Sequence, residues 1–180
     1  RILGTHWWNP PFLVPLVEVV QTEETAQWVV ELTMALHRAI GKRPVHAKKD
    51  VPGFIANRLQ HALWREAISI ADAATVDESL KYGPGLRLPV LAPLENADLV
   101  GLDMVLSIHD YVFKHLEDRH DASPLVRERV ARGELGFKSG GVGLQTWTPE
   151  QQKALRAELL DYLCKAVREM REREAGRMPA

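Results

Sequence analysis

A single cysteine, Cys164, in 180 residues leaves no intrachain disulfide to form. The expectation is a reducing, cytoplasmic setting and an inert, half-buried thiol on the last helix. No apolar run approaches the roughly 18–20 residues of a membrane span, and no signal-peptide pattern opens the chain. Neither sign of charge dominates, since 23 Lys and Arg stand against 24 Asp and Glu. With no basic stripe, nucleic acid is not expected as a partner. The histidines do not fall at ligand spacing. His109, His115 and His120 lie six and five apart, which brings them to no common helix face, so no metal site is expected. Internal repeats and low-complexity linkers are also missing.

What the chain does have is order. Two short strands are expected around Leu3–His6 and Leu16–Val20, with Asn9-Pro10-Pro11 as the turn between them. Thr25 to Ile40 reads as an amphipathic helix with Ala26, Val29, Val30, Thr33, Leu36 and Ile40 on its apolar face and Gly41 as its stop. Pro44-Val45-His46-Ala47 reads as a last strand. Beyond Asp50 only helices and turns are expected. Pro52 opens a helix to about Ala73, and Thr75-x-x-Glu78 matches a capping box for a short helix ended by Gly83. Further helices start at Pro93, at Asp103 (running to about Arg119), at Ser123-Pro124 and at Thr148-Pro149. The last carries a stripe of Leu155, Leu159, Leu163, Val167 and Met170. Gly176 onward is expected to be disordered.

The chemistry concentrates at the two first strands. His6 ends one apolar run, and Glu18 lies inside the next, twelve positions on. Strand alternation places Leu16, Glu18 and Val20 on one face, so the carboxylate sits among apolar residues. An enclosed glutamate beside a histidine fixes the imidazole tautomer and stabilises the imidazolium formed on proton uptake.

Several segments, taken in order, resemble the 3-hydroxyacyl-CoA dehydrogenase family. They are His6-Trp7-Trp8-Asn9-Pro10, Leu16-Val17-Glu18-Val19-Val20 and Pro52-Gly53-Phe54-Ile55-Ala56-Asn57-Arg58. To these are added Gly83-Pro84-Gly85 with Ala92-Pro93-Leu94-Glu95 and Asp98–Asp103, and Gly136-Phe137-Lys138-Ser139-Gly140 through Trp147. The resemblance covers roughly residues 2 to 147. It implies a mainly α chain in which short strands from the end of a Rossmann-type sheet (residues 1–49) precede an all-helical substrate and dimerisation domain (50–175). The implied reaction is NAD-dependent oxidation of an L-3-hydroxyacyl-CoA to its 3-keto form. His6 would be the base and Glu18 its orienting partner. Asn57 would bind the substrate carbonyl, Asn9 would shape the loop and order the site, and Lys138 would lie near the cofactor.

The family's G-x-G-x-x-G turn, whose amides hold a pyrophosphate, does not occur here. The only glycine cluster, Gly136 to Gly143, follows a charged helix instead of a strand. The expectation is therefore the C-terminal part of a longer or split dehydrogenase, needing an N-terminal Rossmann domain and pairing as a homodimer. Three departures bear on the substrate. Trp7 and Trp8 stand where phenylalanines are usual, and a buried indole N–H wants a partner. The tail lacks the aromatic expected after its second glycine. Gly85-Leu86-Arg87 is closer to the branch that oxidises free hydroxy acids such as carnitine or gulonate, with Arg87 either a carboxylate contact or a surface arginine. A helical module that only dimerises is the reading from another class. Lys42-Arg43 and Lys48-Lys49 flank the last strand, either as phosphate contacts for CoA or as a solvated cluster.

Overall fold

The structure is a computed structural model that describes residues 1–70 and 72–176. Three strands form one sheet in the order β1 (Gly4–Trp7), β2 (Leu16–Val20), β3 (Arg43–Ala47). β1 runs antiparallel to β2, and β2 runs parallel to β3. The parallel pair needs a crossover, and α1 (Gln27–Ala39) supplies it. β2 is central, and its Val17, Glu18, Val19 and Val20 are all buried. A strand covered on both faces is apolar at nearly every position, which makes the one carboxylate within it conspicuous.

Eight more α-helical or helical-turn elements follow among the described residues, so the chain is mainly α after a short sheet. These are α2 (Ala56–Ile70), α3 (Ala73–Tyr82), α4 (Pro84–Arg87), α5 (Pro93–Val100), α6 (Leu102–Val112), α7 (Pro124–Ala131), a 3₁₀ turn at Phe137–Ser139, and α8 (Pro149–Ala175). No described helix is long and apolar enough to cross a membrane. Packing groups the chain into two units. One joins residues 1–60 to the described part of α8 from Glu150, and the other is His61–Pro149. In sequence the division was drawn at residues 49 and 50. In space, α8 returns to the strands, where Glu174 near its end pairs with Arg43 at the start of β3.

Several local expectations change. The buried face of α1 carries Val30 and His37, while Leu36 and Ile40 are exposed. His37 is accommodated because its Nδ1 bonds the Thr33 carbonyl at 2.8 Å. α2 begins at Ala56, after a turn over Pro52–Ile55, instead of at Pro52. The cap of α3 is Asp72, whose Oδ1 accepts from the Thr75 N–H at 3.0 Å, so Thr75 lies inside the helix it was expected to open. α6 stops at Val112, well before Arg119. Beyond it the Glu117 N–H donates to the Glu66 carboxylate at 2.7 Å instead of continuing the helix. Cys164 is exposed, not half-buried. Of the expected disordered tail, Gly176 closes α8 with a bond to the Glu172 carbonyl, and residues 177–180 lie outside the described residues.

Candidate active site

The register of the antiparallel pair sets His6 directly opposite Glu18. Cross-strand partners share a face with Cβ atoms about 5 Å apart, close enough for an imidazole to reach a carboxylate. His6 Nδ1 lies 2.8 Å from Glu18 Oε2. The Glu18 side chain is 0% exposed and that of His6 31%. The pair therefore has a sealed acid end and an open imidazole end. With Nδ1–H donated to the carboxylate, Nε2 keeps its lone pair for a proton from outside.

Glu18 is held from three sides. Its Oε1 accepts the Ile55 and Ala56 N–H groups at 2.9 and 3.0 Å, and its Oε2 accepts Trp8 Nε1–H at 3.4 Å beside the imidazole. Ala56 is the first residue of α2 and Ile55 directly precedes it, so the carboxylate satisfies donors at a helix N-terminus, where negative charge is favoured. Burial alone would raise the Glu18 pKa. The hydrogen bonds from His6, Ala56, Ile55 and Trp8 outweigh it and hold the group below the ordinary carboxylate value.

The turn before α2 is built for this approach. Gly53 and Phe54 both have positive φ, +82° and +49°. A phenylalanine there is strained by about 1–2 kcal/mol, and its ring packs against His6 at a centroid distance of 5.5 Å. One residue into α2 comes Asn57, half-buried. Asn9 is exposed on the loop after β1. Neither asparagine side chain bonds to a described residue. Lys138 sits on the 3₁₀ turn of the other unit. Arg87 ends α4 in that same unit and is exposed.

Three features had no specific signal in the sequence. Lys42 donates to the Pro11 and Val14 carbonyls, the latter at 2.9 Å, and lies 4.9 Å from the centre of the Trp7 ring. Trp7 in turn packs on buried His37 at 5.3 Å. Arg43 pairs with Glu174. Lys42 and Arg43 thus bind the fold itself, and the cavity of about 380 Å³ that they line with Arg38, Arg171 and Glu174 holds none of the expected site residues. The two backbone donors on Glu18 are the third such feature.

An enclosed glutamate bonded to a partly open imidazole is an arrangement that can pass a proton, and here it stands on two paired strands of the sheet. The chain belongs to the 3-hydroxyacyl-CoA dehydrogenase family. Residues 1–51 match the model of its NAD binding domain and residues 53–146 that of its C-terminal domain. Among relatives, 5-formyl-3-hydroxy-2-methylpyridine 4-carboxylate 5-dehydrogenase of Mesorhizobium japonicum is 38% identical over 97% of this chain and 58% of its own length. L-carnitine dehydrogenase of Streptomyces griseus is 43% identical over 56% of this chain and 32% of its own. A crystal structure of the pyridine-carboxylate enzyme, described as an NAD⁺-dependent dismutase, superposes with a TM-score of 0.85, covering 96% of this chain and 56% of that one. The 3-hydroxyacyl-CoA dehydrogenase of Archaeoglobus fulgidus gives 0.56 at 30% identity, with 93% and 58% covered. The chain thus spans little more than half the length of the first of these relatives.

Proposed function

We propose that these residues form the C-terminal part of an NAD-dependent dehydrogenase in which His6 takes the hydroxyl proton of the substrate. Residues 1–49 complete the NAD-binding domain, and 50–175 form the substrate and dimerisation domain. The observation that carries this reading is the 2.8 Å bond between His6 and a Glu18 that has no solvent exposure. NAD, when bound, supplies the hydride acceptor. The open imidazole face suits a hydroxyl beside it, while the pyrophosphate turn would come from an N-terminal Rossmann half. Glu18 fixes the ring so that Nε2 receives the proton and then balances the imidazolium. Asn57, on the first turn of the helix that Glu18 caps, donates to the carbonyl or the developing oxyanion. Asn9 orders the loop beside it, and Lys138 serves the cofactor side. The helical domain pairs with a second copy.

For the substrate, a small free acid bearing a hydroxyl or aldehyde is favoured over an acyl-CoA. The names of the pyridine-carboxylate and carnitine relatives support it. So does the sequence Gly85-Leu86-Arg87, which is closer to the branch of the family that oxidises free hydroxy acids. The acyl-CoA reading rests on the family models and the Archaeoglobus fulgidus structure. NADH absorbance of the complete protein with L-carnitine, gulonate, the pyridine carboxylate aldehyde and 3-hydroxybutyryl-CoA separates the two. With whichever compound turns over, His6→Gln should lower kcat by about a hundredfold or more with KM little changed. An undiminished kcat would remove His6 from the chemistry.

A further inference from the structure

The four hydrogen bonds to Glu18 are of two kinds. Oε1 takes the backbone N–H groups of Ile55 and Ala56. Oε2 takes two side chains, the imidazole at 2.8 Å and the Trp8 indole at 3.4 Å. Trp8 is half-buried, and its ring meets His6 edge-on at a centroid distance of 6.0 Å. The indole is a donor only and cannot change its protonation. It therefore draws on the same oxygen whether or not His6 carries a second proton.

We propose that Trp8 is a positioning residue of the proton transfer, sharing the Glu18 oxygen that holds His6 and so limiting how firmly the pair keeps a proton on the imidazole. The inference rests on the proposed role of His6 and extends it to a neighbour. In the transfer the substrate O–H bond breaks, an N–H bond forms at His6 Nε2, and the imidazole becomes an imidazolium whose charge Glu18 balances. NAD, when bound, would supply the acceptor for the hydride on the hydroxyl-bearing carbon, whose C–H bond breaks as the alcohol becomes a carbonyl. An imidazolium held too firmly would not return its proton to solvent for the next turnover. A second donor on Oε2 weakens the grip, because a carboxylate already stabilised by N–H groups gains less from one more positive neighbour.

Other ionisable side chains near the pair are engaged elsewhere. On β3, His46 bonds Gln21 at 2.8 Å and Arg43 pairs with Glu174. On α1, His37 bonds the Thr33 carbonyl. Lys42 holds the Pro11 and Val14 carbonyls, and Arg58 of α2 reaches the Pro52 carbonyl. None of these reaches the carboxylate, which leaves Trp8 as the side chain that competes with His6 for it.

The test needs no substrate. In the complete protein with ¹⁵N-labelled histidine, the His6 ring signals are followed by NMR against pH for wild type and Trp8→Phe. The midpoint of the His6 transition should move up by about 0.3–1 pH unit in the variant, the size expected for losing one modest hydrogen bond to the charged partner. The acid limb of the kcat/KM profile for alcohol oxidation should move with it. An unmoved or lowered midpoint overturns the proposal, including where kcat falls, since that is the signature of a merely structural tryptophan. If Trp8→Phe does not fold, wild type carrying ¹⁵N-labelled tryptophan decides, with His6→Gln as its control. One indole ¹⁵N–H resonance should follow the His6 midpoint and lose that dependence in His6→Gln, and the absence of any such resonance overturns the idea. Failure of the base assignment is read separately, from turnover in His6→Gln.

Discussion

A carboxylate with no solvent exposure survives in a sheet only when its lone pairs are occupied, because an unpaired buried charge costs several kcal/mol. Glu18 meets that condition with four N–H groups drawn from β1, the loop after it and the start of α2. The same bonds hold its pKa below the ordinary 4.5 despite burial. A carboxyl depressed in the folded state binds fewer protons folded than unfolded. Its contribution to stability is therefore full above the unfolded value and is lost as pH falls through the folded one. Melting temperature should accordingly fall more steeply below about pH 4.5 in wild type than in Glu18→Gln, which has no charge to lose there. The same variant cannot balance an imidazolium, so its kcat should drop by about 10²–10⁴-fold. Parallel melting curves from pH 6 to pH 3 would show that Glu18 is not the linked group.

At the scale of elements, the loop between β1 and β2 must keep its shape for His6, Trp8 and Asn9 to stay in place. It is secured from outside by Lys42, which joins two of its carbonyls and the Trp7 ring. Lys42→Met keeps the stem over Trp7 and removes the donors. We expect a loss of about 1–2 kcal/mol by denaturant titration, with Lys42→Arg recovering part of it; no loss in Lys42→Met would mean the loop holds itself. None of this was legible beforehand, since Lys42 reads as one of a pair of surface cations until the loop's carbonyls are seen beside it. The His6–Glu18 pair was legible, because a histidine ends one short strand and a carboxylate lies inside the next across a proline turn, while their register is seen only in the structure. The fourth ligand of Glu18 was half legible: a buried indole asks for an acceptor, but the sequence does not say which. Helix starts marked by Pro93, Ser123-Pro124 and Pro149 were plain. Pro52 misled, because the chain first needs two positive-φ residues to bring backbone donors onto Glu18. On α1 the apolar rule favoured Leu36, yet His37 is buried because its ring nitrogen finds a carbonyl one turn back.

The unit formed by residues 61–149 raises a question that single residues cannot. Its α5 and α6 leave Leu94, Leu99, Leu102, Leu106 and Tyr111 all more than 60% exposed. Scattered apolar exposure is ordinary, but Leu102 and Leu106, one helical turn apart on α6, give that helix a bare apolar strip that water solvates poorly. A symmetric pair of copies would cover it, and closed two-fold dimers are the commonest way for a chain to do so. The complete protein should therefore sediment as a dimer at micromolar concentration. Leu102→Glu with Leu106→Glu places two charges on this face of α6. The double variant should raise the dimer dissociation constant by about tenfold or more while leaving the helical circular dichroism intact. Wild type that sediments as a monomer, or a double variant that still pairs as tightly, would show that this strip is not where two copies meet.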